Sequence, residues 1–201
     1  RSVSAFLLNR SSDLEIDSTL AIADLPVSIM LPFDNTFNNN LRDNWSKQIY
    51  TTDELGEAGV IRSIGFLKTD NVSASHPLSI YMVNTDEQER PYSIPFSIDD
   101  RVFYGTADFL GIGWHNIPLD NPFRYDGEHN VCLIVASHAP AGEETMNFQC
   151  VTTASFQAYE EILHNYDNHK NILMFTKTEI MDVCTNLSAT TLYYSADLSY
   201  L

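Results

Sequence analysis

Four aromatic residues, Trp45, Tyr92, Tyr104 and Trp114, are the side chains of this sequence best suited to ligand chemistry. A Trp or Tyr face open to water can stack on the apolar face of a pyranose ring, with a polar group beside it to bond the hydroxyls. Tyr92 lies in the Pro-flanked run Arg90-Pro91-Tyr92-Ser93-Ile94-Pro95, a loop composition that can present it. Trp45 follows the polar, Asn-rich stretch that begins at Asn35. Tyr104 and Trp114 fall in alternating segments, where packing within a strand competes with ligand binding. A second chemistry is cation binding: Asp126, Glu128 and Asn130 gather oxygens around an Asp126-Gly127 turn, with Asp99-Asp100 and Asp120-Asn121 elsewhere. Calcium takes six to eight such oxygens. The spacing matches no EF-hand loop, and a solvated turn is the competing reading. A structural Ca2+ is therefore the one cofactor to weigh, and none is required.

Covalent chemistry finds little support. There is no G-x-S-x-G and no H-E-x-x-H, and the six His residues are scattered. Ser137-His138 are neighbours in sequence, whereas a catalytic triad is assembled in space. Cys132 sits within the apolar run Val131–Val135, the setting of a small buried hydrophobe rather than a reactive thiolate. Cys150 and Cys184 could pair, although nothing in their spacing demands it. Adjacent acids at Glu143-Glu144 and Glu160-Glu161 read as solvated loops. A hydrolase with two facing carboxylates stays open, because their separation is set by the fold. The expectation is a non-enzyme.

The charge narrows the partners. With 27 acidic and 11 basic residues the formal net charge is -16, which argues against nucleic acid and against anionic membrane surfaces. No apolar run approaches the ~18 residues of a membrane span. No charged segment followed by an apolar one opens the chain, so a signal peptide is read as absent or already removed.

The elements that must position these residues read as β-strands. Leu78, Ile80 and Met82 alternate onto one face, and Val131–Ala136 is continuous enough to be buried on both faces. Ser46–Thr51 reads as a strand, then Asp53–Gly56 as a tight turn or single helical turn capped by Thr52. In the run from Val60 to Leu67, Ile64 and Phe66 share a face, with Val60 and Arg62 in register. Further strands are expected at Val3–Leu20, Asp99–Gly105, Gly113–Leu119, Phe148–Phe156, Ile172–Thr176 and Thr190–Leu201. Ala158–His164 could be a short helix or a strand edge. Short strands about ten residues apart, separated by turn signals, point to a sandwich or barrel. No repeat or linker divides residues 1–201, which are expected to form a single domain.

One stretch resembles a known group. Ser46, Gln48, Ile49, Tyr50, Glu54, Leu55, Gly56, Gly59, Ile61, Ser63, Ile64 and Phe66 are followed by Ile80, Tyr81 and Met82. Gly113, Trp114, Leu119, Pro122, Phe123, Tyr125, Gly127 and Asn130 complete the order. From Trp45 to Val135 the chain is similar to a β-sandwich accessory module of secreted and surface proteins of Bacteroides-type bacteria. The resemblance implies an all-β sandwich of jelly-roll or galactose-binding-like form with little helix, and an extracytoplasmic setting. It carries no catalytic residues, and its signature positions are mostly those that build strands and turns.

The expected function is thus a non-catalytic accessory module that binds a glycan through Trp45, Tyr92, Tyr104 and Trp114. The alternative is a structural or protein-interaction domain of a larger surface protein, recognised by an apolar patch or an open strand edge.

Overall fold

A computed structural model describes residues 26–33, 44–138, 145–153, 155–160 and 165–178. The strands expected at Val3–Leu20 and Thr190–Leu201, and Cys184, lie outside the described residues. Twelve strands occur among the described residues: β1 Pro26–Ile29, β2 Asn44–Tyr50, β3 Gly59–Lys68, β4 Ser73–Thr85, β5 Arg101–Leu110 and β6 Gly113–Tyr125. They continue as β7 Asn130–Ser137, β8 Phe148–Thr152, β9 Ala158–Glu160, β10 Asn165–Asp167, β11 His169–Asn171 and β12 Leu173–Thr178. Among the described residues, helix is confined to α1, Thr52–Leu55, and two 3-10 turns at Pro91–Ser93 and Ile98–Asp100.

The pairing is that of a jelly roll. β1 pairs β8, β2 pairs β7, β3 pairs β6 and β4 pairs β5, all antiparallel. Folding that long two-layered ribbon over itself gives two sheets. The second sheet runs β10-β9-β2-β7-β4-β5. In the first, β3 and β8 meet only at Lys68 and Phe148, because β12 lies along β3 and β11 along β8. β11 and β12 are thereby wedged into the first sheet, while β9 and β10 extend the second.

Alternation places one core between the sheets. Leu78, Ile80, Met82, Val131, Leu133 and Val135 from the second sheet meet Ile61, Ile64, Phe66, Ile117 and Phe148 from the first. Phe33 plugs the middle, its ring 5.2 Å from both Phe109 and Phe148. β7 is buried on both faces, as its composition requires: Cys132 and Ile134 point away from the main core into a second cluster with Ile49 and Ile94. That cluster forms where residues 91–96 fold back over the outer face of the second sheet.

Several local readings shift. A register change between Ile61 and Ser63 turns Ile61 inward beside Ile64, so Ile61 is buried and Arg62 is exposed. A bulge inverts alternation in this way because it adds one residue to one strand. The N-cap of α1 is Thr51 rather than Thr52, with Glu54 Oε2 accepting from Thr51 N at 2.8 Å. Residues 158–160 are strand. β1 begins at Pro26, tolerated there because a first strand residue needs no ladder N–H.

Candidate functional site

The outer face of the second sheet gathers the aromatic residues. Alternation along β2 sends Tyr50 inward and Trp45, Lys47 and Ile49 outward. β9 pairs with β2 so that Tyr159 stands opposite Lys47. The 91–96 segment lies across this surface and brings Tyr92 and Phe96 onto it. Trp45 and Tyr92 are nearly parallel, with centroids 6.5 Å apart and an interplanar angle of 13°. Tyr159 lies 5.7 Å from Trp45 and 4.8 Å from Tyr92, and Phe96 meets the edge of Trp45 at 6.2 Å.

Lys47 holds this group together. Its side chain is buried, and Nζ donates to the Tyr92 carbonyl at 2.9 Å and to the Ile94 carbonyl at 2.5 Å. The same ammonium lies 5.0 Å from the ring centroids of Trp45 and of Phe96. Cation–π attraction and charge-assisted hydrogen bonds both gain strength away from water. One lysine therefore fixes the loop backbone and two rings at once. A further bond, Arg90 N to the Phe156 carbonyl at 2.6 Å, ties the loop to the segment before β9. The outcome is a half-buried Trp45 beside a Tyr92 that remains 52% exposed, with Phe156 exposed nearby. Lys47→Met should cost about 2 kcal/mol, the worth of hydrogen bonds to a buried charge. Hydrogen exchange checks it: the Ile94 amide, bonded to Pro91 O, should exchange at least about tenfold faster relative to the β7 amides.

Tyr104 belongs to the same face. The register runs from Trp45 on β2 through Ala136 on β7 and Ser79 on β4 to Tyr104 on β5. Tyr104 is 62% exposed, with the Arg101 guanidinium 4.8 Å from its ring centroid. His138 lies between the two aromatic positions: its Nε2 is 2.7 Å from Ser79 Oγ and its ring 6.1 Å from that of Tyr104. Trp114 is not part of this surface. It is half-buried opposite Leu67 of β3, in the other sheet.

No family model matches the chain, no curated protein matches it, and no solved structure matches it. The reading of the site therefore rests on its geometry.

The oxygen-bearing turns are bound into the fold. Asp126 Oδ1 accepts from the Glu128 and His129 amides at 2.9 and 3.0 Å, and Oδ2 lies 2.7 Å from His129 Nδ1. These bonds hold the Asp126 carboxyl below the usual range. Asn130 is buried, its Oδ1 accepting from Thr52 N at 3.1 Å and its Nδ2 donating to the Glu87 carbonyl at 2.9 Å. Gly127 closes the turn at φ 80°, where a Cβ would sit 2.8 Å from Ala58 N. Asp120 and Asn121 clip the edges of the two sheets: Asp120 Oδ2 accepts from Tyr104 N at 2.9 Å, and Asn121 Nδ2 donates to Arg101 O at 3.2 Å. Asp100 caps its own 3-10 turn through Ser97 N. Among the described residues no group of three or more His, Cys, Asp or Glu side chains could hold a metal ion. Cys132 is buried, and desolvation pushes its thiol up to about 12.

Three residues of this site, Lys47, Phe96 and Tyr159, carry no motif of their own. The i, i+2 spacing of Trp45 and Lys47 on one strand was the available signal for the first. The pairing of β9 with β2 has no local signature.

Proposed function

We propose that this jelly roll is a non-catalytic accessory module of a secreted or surface protein, and that the outer face of its second sheet binds carbohydrate. The observation that supports this reading is the exposed Tyr92 and half-buried Trp45, packed on the buried Tyr159 and preorganised by the buried Lys47. Rigid aromatics presented on a strand and a tethered loop bind with little ordering cost. Arg101 and His138 lie along the same face, beside Tyr104 and Ser79.

Retention in affinity gels containing neutral β-glucan, xylan, mannan or galactan tests the proposal. Wild-type protein should be retarded by at least one of them. Tyr92→Ala should weaken that interaction by about tenfold or more, the loss of one buried aromatic contact. Trp114→Ala should leave it unchanged. Uniform absence of retardation, or equal loss in the two variants, contradicts the assignment.

A further inference from the structure

We propose that the ligand of this face is an extended, uncharged oligosaccharide lying across the strands of the second sheet, from Trp45 to Tyr104. The inference rests on the carbohydrate-binding reading and adds the direction, length and charge of the bound chain. Trp45 and Tyr104 occupy one cross-strand row, with Ala136 and Ser79 at the two positions between them. Three inter-strand steps of about 4.8 Å separate their backbones by about 14 Å. A single sugar ring cannot touch both residues, whereas a chain of several rings can.

Between the two aromatics, Ala136 and Ser79 carry short side chains that are themselves buried, so a chain spanning the row would rest on the residues that cover them, His138 among them. His138 lies along the strip, its Nε2 2.7 Å from Ser79 Oγ. On one side the strip is bounded by Phe96, which packs against Tyr81 with centroids 5.0 Å apart, two residues along β4 from the row. At the Trp45 end, Tyr92 continues the aromatic surface beyond β2.

Charge selects a neutral chain. The protein carries -16 overall, and exposed Asp108 lies on the same face of β5 as Tyr104. Asp99 and Glu89 are exposed on the segments at either end of the 91–96 loop. Lys47 is buried beneath its rings, and Arg101 is engaged with Tyr104. A polyanionic glycan would meet net repulsion along this path.

Calorimetric titration with ladders of neutral β-glucan, xylan, mannan and galactan oligosaccharides tests this, alongside carboxylated ladders of similar length. For the backbone that binds, affinity should rise by about tenfold or more from the disaccharide to the longest oligomer, as successive subsites are filled. Tyr104→Ala should abolish that rise. Tyr92→Ala should weaken every length. Carboxylated chains should bind more weakly than neutral ones. Binding that is independent of length, a length dependence surviving in Tyr104→Ala, or a preference for carboxylated chains would overturn the extended-chain inference and leave carbohydrate binding standing. Absence of binding at every length would overturn both.

Discussion

Lys170→Met should destabilise the protein by about 3–5 kcal/mol, the usual cost of removing one partner from a buried ion pair. Lys170 is 1% exposed in β11. Its Nζ donates to Glu54 at 2.7 Å, to Gln157 Oε1 at 2.7 Å and to the Ile49 carbonyl at 3.1 Å, and lies 5.0 Å from the Tyr50 ring centroid. Burial pulls the lysine's pKa down and the Glu54 charge opposes that shift. Methionine keeps the volume of the stem but leaves the half-buried Glu54 without its ammonium and the Ile49 carbonyl without that donor. Urea denaturation should show the loss as a lower midpoint, and thermal melting as a fall of roughly 10 °C for a chain of this size. Glu54→Gln added to Lys170→Met should recover part of it, because the stranded charge is then gone. A Lys170→Met midpoint within experimental error of wild type would contradict the ion-pair account.

The second large effect is a dependence on pH centred on His76. This residue is 2% exposed on the inner face of β4, with its Nε2 2.7 Å from Ser137 Oγ and its ring 4.9 Å from that of Phe33. Desolvation, followed by the charge of His138, lowers its pKa to about 4 from the ordinary 6.5. The unfolded chain therefore binds the proton first as pH falls. Stability from this group is full above about pH 6.5 and lost progressively down to about pH 4, where the folded protein is also protonated. At about 1.4 kcal/mol per pH unit the loss amounts to about 3 kcal/mol. His76→Gln should flatten the curve of urea midpoint against pH by that amount within the window. A curve of unchanged slope in His76→Gln would contradict the assignment.

Lys170 and His76 also mark where the sequence was and was not legible. Alternation at Leu78, Ile80 and Met82 and the apolar run in β7 foretold both the sheets and the doubly buried strand, because burial on one or two faces writes a period directly into the residues. The recognisable positions between Ser46 and Asn130 turn out to hold the scaffold. Gln48 exchanges bonds with Asn171, its Nε2 donating to Asn171 Oδ1 at 2.7 Å and its Oε1 accepting from Asn171 N at 2.8 Å. Tyr50 donates to the Asn171 carbonyl at 2.9 Å. Glu54 and Asn130 fasten the ends of α1 and β7. The β11 partners of Gln48, Tyr50 and Glu54 lie more than a hundred residues away and belong to a short strand with no periodicity of its own. Long-range polar pairing leaves no local mark, so the wedge of β11 and β12 between β8 and β3 could not be read in advance.

The same distinction applies to the candidate site. Tyr92 was legible because a Pro-flanked loop exposes its contents, and it is exposed. Trp45 drew attention as an aromatic next to a polar stretch, but its neighbours Phe96 and Tyr159 are supplied by the 91–96 crossing and by β9. Trp114 shares its chemistry with Trp45 and differs only in which sheet carries it, a distinction that composition cannot make.

That difference between the two tryptophans provides the most direct test. The chain contains two Trp residues, so Trp114→Phe leaves Trp45 as the single indole reporter and Trp45→Phe leaves Trp114. Each variant is titrated with soluble neutral β-glucan, xylan, mannan and galactan while tryptophan emission is recorded. With at least one of these glycans, the emission of Trp45 should shift and saturate in Trp114→Phe, and that of Trp114 should stay constant in Trp45→Phe. A saturable response from Trp114 with none from Trp45, or no response from either, would contradict the assignment of the outer face of the second sheet as the ligand surface.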